Sequence, residues 1–231
     1  MLEDIVIDPR IAGIAPGFRA FSVFADASDL IVRNLETNLL TTACDAMLAG
    51  EPPWAEAHLT SWSETYRKFG AKPNKTPCSA QALRRRVLRD GAVPSINPVV
   101  DLYNAVSLLY AIPIGGENYD AYVGRPQLTI ADGTEGFDTV ADGQSALENP
   151  APGEVIWRDE IGVTCRRWNW RQCIRTRLDA LTGRMWFVME ALETMPTEAL
   201  HDAGNLLIEG LRKLIPGCEV SAHVVCAVDR S

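Results

Sequence analysis

Four short stretches of this sequence hold residue types that could do chemistry together. The segment Cys165 to Arg177, CRRWNWRQCIRTR, interleaves arginines with Trp168, Asn169 and Trp170. Read as a strand, it sets both tryptophans on one face and Arg167, Asn169 and Arg171 on the other. Guanidinium forks and aromatic rings suit a phosphodiester or a nucleotide end; the bland alternative puts the tryptophans in the core and pairs the arginines with acids. In NPVVDLYNAVSLLY, residues 97 to 110, Asp101, Asn104 and Ser107 stand three apart, which predicts one polar face on an otherwise apolar helix. That face is either the solvent side or the wall of a cleft, where a carboxamide both donates and accepts. Gly115 and Gly116 offer backbone N–H groups, but Glu117 follows them, where a phosphate loop would need Lys-Ser or Lys-Thr. Glu190 ends the apolar run MWFVM and is the acid expected to be held partly buried, by a ligand or by an arginine of 166 to 177.

Other chemistries are poorly supported. Cys44, Cys78, Cys165, Cys173, Cys218 and Cys226 form no Cys-x-x-Cys pair, and His58, His201 and His223 have no zinc-ligand spacing, so neither a metal nor a cofactor is expected. No Gly-x-Ser-x-Gly elbow is present.

The elements that must position these residues change character along the chain. Short apolar strands, Ile5 to Ile7 and Phe18 to Phe24, are followed by four predicted helices. The first is capped by Ser28, carries Leu30, Ile31, Leu35, Leu39 and Leu40, and stops at Gly50. The second runs from Pro52 to Gly70, and the third and fourth start at Thr76-Pro77 and Asn97-Pro98 and end at Gly91 and Pro113. From about residue 123 the period falls to two, which predicts strands at 128–130, 155–157, 162–170, 174–178 and 185–192. Pro196 then opens a helix whose stripe of Leu200, Ala203, Leu206, Leu207, Leu211 and Leu214 should pack on a sheet containing Trp168 or Trp170, and a last strand follows near 220–228. This order predicts an α+β fold with a mixed or largely antiparallel sheet, and no linker rich enough in Pro, Gly and Ser divides residues 1–231 into two domains.

Charge narrows the partners. The 231 residues carry a formal net charge of -8, which disfavours non-specific coating of nucleic acid. Yet residues 67–90 carry a net +7 and residues 158–184 a net +4, and 18 of the 22 basic residues are arginine. A local basic patch is compatible with that. The acidic start MLEDIVIDPR and the lack of a long apolar run predict a cytoplasmic chain with no signal peptide and no membrane partner.

Two of these stretches resemble a known family. RRRVLRDGAVPSINPVVDLYNAVSLLYAIPIGGENYD, residues 84 to 120, is similar to the editing module (B3/B4 domain) of the bacterial phenylalanyl-tRNA synthetase beta subunit. PGEVIWRDEIGVTCRRWNWRQCIRTRL, residues 152 to 178, is similar to free-standing members of that family, and the resemblance covers about residues 70–228. It implies a three-layer β/β/α fold, and a cleft that receives the aminoacylated 3′ end of a tRNA, rather than DNA, and hydrolyses a wrongly attached amino acid. Asn104 falls on the family's pocket asparagine, and Glu190 on the glutamate that recognises the rejected side chain. The family's pocket histidine is absent, since Gly115 and Gly116 follow Pro113-Ile114. Asp101, Asn104, Gly115, Gly116, Asn169 and Glu190 are thus the expected substrate-binding residues, and Arg166, Arg167 and Arg171 the expected tRNA contacts. A non-catalytic module that binds tRNA or an amino acid in the same cleft is the competing expectation.

Overall fold

The structure, a computed structural model, describes residues 5–28, 38–141, 143–179 and 181–227. Its central sheet is built from strands apolar on both faces. In β2 (Arg19–Asp26) Phe21, Val23 and Ala25 point one way and Ala20 and Phe24 the other; in β10 (Arg184–Ala191) Met185, Phe187 and Met189 alternate with Trp186 and Val188. Strands buried on both sides belong in the middle of a sandwich of layers. With β3 (Ile114–Asn118) and β11 (Glu219–Cys226) they form an antiparallel sheet in the order β11-β2-β10-β3.

One face of this sheet is covered by α5 (Pro98–Tyr110) and α6 (Thr197–Leu214), which bring Leu102, Val106, Leu200, Leu207 and Leu211 to it. Glycine fits at 204 because a Cβ would stand 2.5 Å from Cζ of Phe21, so the helix backbone lies directly on the Phe21 ring. The other face meets a second sheet of β1 (Val6–Ile7), β4 (Gln127–Ile130), β7 (Val155–Arg158), β8 (Val163–Arg166) and β9 (Arg171–Gln172), in which β1 is parallel to β4 and the other pairs are antiparallel. Trp157, Trp168, Trp186 and Phe18 fill the layer between the sheets, and α3 (Ala55–Lys68) adds Leu59, Trp62 and Tyr66 to it. The result is the three-layer β/β/α arrangement of an α+β protein. Helices α1 (Ile11–Ile14), α2 (Leu39–Ala49) and α4 (Ser79–Asp90) and the hairpin β5 (Phe137–Ala141) to β6 (Gln144–Glu148) complete it.

Local signals placed most elements. Asn97 accepts from the N–H groups of Val99 and Val100 at 3.1 and 2.9 Å, with Pro98 in the first turn, and Gly91 closes α4 at φ 77°. Four expectations change. The strand foreseen over 162–170 stops at Arg166, because Arg167 and Trp168 adopt φ of 47° and 67° and turn the chain. Residues 174–178 form a turn with one bridge, from Arg177 to Glu117. The leucine stripe of α6 packs on β2 and β10, a sheet that holds neither Trp168 nor Trp170. The β5–β6 hairpin was not foreseen, its strands being short and weakly alternating. The cap at Ser28 and the apolar positions Leu30, Ile31 and Leu35 concern a segment, 29–37, outside the described residues; α2 begins at Leu39.

Candidate functional site

Alternation along β10 turns Glu190 to the same face as Trp186 and Val188, into the apolar layer between the sheets. A carboxylate there must be held by donors. Its Oε1 accepts from the indole Nε1–H of Trp157 and of Trp168, both at 2.9 Å, and its Oε2 accepts from Nδ2 of Asn169 at 2.8 Å. Asn169 in turn accepts from the Tyr66 hydroxyl at 2.8 Å. The left-handed turn at Arg167 and Trp168 is what lets consecutive residues Trp168 and Asn169 reach one carboxylate, which a strand would forbid. Three of about four lone-pair positions are filled, leaving one on Oε2. Among the described residues, which include every arginine of 166 to 177, none pairs with Glu190, so the ion-pair alternative for it falls.

Beside this knot lies a cavity of about 310 Å³ whose lining includes Glu190, Trp168, Trp170 and Asn169, the β3 residues Gly115, Gly116 and Glu117, and residues of α4 and α5. Glu117, unforeseen in the sequence, is 4% exposed and accepts from the Tyr122 hydroxyl at 2.5 Å. Burial pushes both glutamates up to about 7, against the hydrogen bonds that favour their anions; the charge of Glu117 adds to the shift of Glu190, and that of Asp159 to the shift of Glu117. Asn104 is 8% exposed, lines the cavity, and its carboxamide meets no hydrogen-bond partner among the described residues. The Ser79 hydroxyl, on the same wall, is also buried without a partner. Buried polar groups without partners are uncommon; the Asn104 carboxamide, unlike the Ser79 hydroxyl, is not sealed off.

Close backbone approach shapes the floor. A Cβ on Gly116 would stand 2.7 Å from Cε1 of Tyr103 and 3.0 Å from the Phe187 ring. Because β3 is the edge of its sheet and Gly116 pairs opposite Phe187, the Gly116 carbonyl turns away from β10, where it accepts from Gln172 Nε2 at 3.0 Å; its N–H points to the same side. Cys165 also lines the cavity, but burial and the two glutamates push its thiol well above the ordinary range, so it stays protonated.

The structure therefore brings together Asn104, Gly115, Gly116, Asn169, Glu190 and Arg171. Asp101 is not among them. Three residues advance a helix by about 300°, 60° short of a full turn, and Asp101 instead binds the Ser95 hydroxyl and, at 2.9 Å, the N–H of Ile96, holding the turn that leads into α5. Arg166 is also corrected: it is 8% exposed, with a bidentate pair to Glu154 at 3.0 Å and a bond to Glu148 at 2.8 Å, so its guanidinium serves the fold. Arg167 lies 4.4 Å from the Trp170 ring centroid, and Arg171 sits half-buried at the mouth, 5.9 Å from the same ring. Among the described residues, no group of three His, Cys, Asp or Glu could hold a metal, and no helix is long and apolar enough to cross a membrane.

A layered α+β domain whose largely apolar cavity holds a few polar groups against the inter-sheet core is the class that these features define. The family model for the B3/4 domain matches residues 61–202, and the chain belongs to that family. The match spans every residue of the cavity named above. A search of curated proteins gives no match. Among solved structures, the chain is similar to an N-terminal fragment of the phenylalanyl-tRNA synthetase beta subunit from Pyrococcus horikoshii, at 10% identity and a TM-score of 0.48, over 98% of this chain and 55% of that one. The chain thus spans about half the length of that fragment.

Proposed function

We propose that this protein acts on aminoacylated tRNA as a free-standing editing hydrolase, removing a wrongly attached amino acid by hydrolysing its ester in trans. The observation that carries the reading is the cavity whose lining holds both an anchored carboxylate with one free lone pair, Glu190, and a carboxamide with no partner among the described residues, Asn104. An amino acid ester presents an ammonium, a carbonyl and a side chain, and these groups match a carboxylate, a carboxamide and an apolar wall. The ester needs no side-chain nucleophile, because holding a water against the carbonyl and stabilising the developing oxyanion suffices. Water adds to the carbonyl carbon, the ribose hydroxyl leaves with a proton, and free amino acid is released. Glu190 holds the ammonium or a polar side-chain group, while the Gly116 N–H and the Asn104 amide are the available donors for the oxyanion.

One observation favours a second reading, a non-catalytic module that binds tRNA or an amino acid in the same cavity. No histidine lines it, and its one thiol is held protonated. Incubating the purified protein with a panel of mischarged tRNAs tests both. Accelerated release of at least one amino acid is expected; binding without release for the whole panel would leave the second reading.

A further inference from the structure

A second concavity, about 300 Å³, shares no lining residue with the first and lies on the Arg167 side of the Arg167–Trp170 stack. Its walls come from the connection between α3 and α4, which contributes Lys72, Lys75 and Thr76, and from Arg167 and Glu154. We propose that it is a phosphate-binding site, and that the Arg167–Trp170 stack joins it to the amino acid cavity so that one ligand can occupy both. The link to RNA rests on the editing reading above; the phosphate chemistry does not.

Charge is the first support. Lys72 and Lys75 are exposed, and among the described residues neither ammonium is in an ion pair. The acid in the wall, Glu154, takes both forks of Arg166 and the backbone N–H of Arg167 at 3.0 Å, and Nε of Arg167 lies 3.7 Å from its Oε2, which leaves the outer edge of that guanidinium unpaired. Counting Lys72, Lys75, Arg166 and Arg167 against Glu154 and Glu148 leaves +2 in a chain whose net charge is -8. Two lysines without a counter-ion, beside an Arg167 that shares Glu154 with Arg166, mark a recess with surplus positive charge, and mixed Lys and Arg suit phosphate.

Position is the second. The Arg167 guanidinium lies 4.4 Å from the Trp170 ring centroid, and Trp170 lines the first cavity while Arg167 lines the second. Stacking fixes the guanidinium plane and leaves donors on its edge. A nucleotide with its sugar at this seam would place an ester in one recess and its 5′-phosphate in the other. The source of that phosphate is either an RNA phosphodiester or the monoester of a free nucleotide.

The test measures binding of 5′-AMP, the dinucleoside monophosphate CpA and adenosine to the full chain and to Lys72→Gln/Lys75→Gln. Both replaced side chains are exposed, and unchanged thermal unfolding checks that the variant is folded. At least one phosphorylated probe is expected to bind about tenfold tighter than adenosine, with inorganic phosphate competing, and the variant is expected to lose that advantage. CpA ahead of 5′-AMP assigns the site to RNA backbone, and the reverse order to a free nucleotide. Equal binding of all three probes, no binding of the phosphorylated ones, or an advantage that survives in the variant overturns the site. A phosphate preference in a protein that deacylates no tRNA would refute the editing reading alone.

Discussion

Replacing Glu190 by Ala and by Gln should give two different proteins. Alanine removes the acceptor of three buried N–H groups, those of Trp157, Trp168 and Asn169. An orphaned buried donor costs about 1–3 kcal/mol; water entering from the adjoining cavity can relieve part of this, so the lower figure is the fair one. Three donors then amount to about 3 kcal/mol, a large share of the usual stability of a domain. At roughly 2–4 °C per kcal/mol for a chain of this size, the melting temperature should fall by about 6 °C or more. Glutamine keeps an oxygen for the two indoles, and a flip of Asn169 presents its oxygen to the new amide while Tyr66 accepts from the freed one. Glu190→Gln should therefore unfold close to the wild type yet deacylate its preferred mischarged tRNA at least tenfold more slowly, a barrier change of about 1.4 kcal/mol. Thermal unfolding and deacylation measured on the same preparations decide it. An alanine variant as stable as the wild type would refute the structural knot, and a glutamine variant with full activity would remove Glu190 from substrate recognition.

Further outcomes follow from the neighbours. Glu117 titrates at about 7 in the fold against an ordinary 4.5, so the folded state binds its proton more tightly; its contribution is present below pH 4.5 and lost as pH rises through about 7. The melting temperature of the wild type relative to Glu117→Gln should thus fall between about pH 5 and about pH 8; a constant difference would contradict the buried carboxyl. The comparison needs the variant because His58, whose burial lowers it to about 4, acts in the opposite sense, its share of the stability being lost as pH falls. Arg166→Ala should lose about 3–5 kcal/mol in denaturant unfolding, since Glu154 is left buried without its partner. Arg171→Ala should leave stability nearly unchanged and flatten the salt dependence of tRNA binding. Gly116→Ala should cost about 1–3 kcal/mol by forcing Tyr103 and Phe187 aside, read again by unfolding.

The layers were legible because their causes are local or periodic. Asn97-Pro98, Gly91 and the leucine stripe of α6 each act within a few residues, and the alternation of β10 turned Glu190 inward. The site was half legible. Asn104, Gly115, Gly116, Asn169 and Glu190 carried either a spacing signal or a family likeness. Glu117 had neither, since its burial depends on β3 being covered by the turn at 174–177, which sequence period alone reads as a strand. Arg166 and Arg167 are adjacent and identical in type, and the left-handed turn between β8 and β9 buries one against Glu154 and Glu148 while it lays the other, still within 3.7 Å of Glu154, over Trp170. Backbone conformation separated them, and nothing in their composition does.

That turn has an implication for the molecule's history. A non-glycine residue held at positive φ costs on the order of 1–3 kcal/mol, and two stand side by side at Arg167 and Trp168. Glycine would adopt the backbone at 167 without strain, so the arginine's side-chain contacts have to offset a backbone cost that glycine would avoid. What the arginine does that glycine cannot is stack on Trp170 and pair with Glu154, at the seam between the two recesses. A stabilised version of this protein found by screening for heat resistance alone would be expected to lose that arginine first, and with it whatever the seam is for.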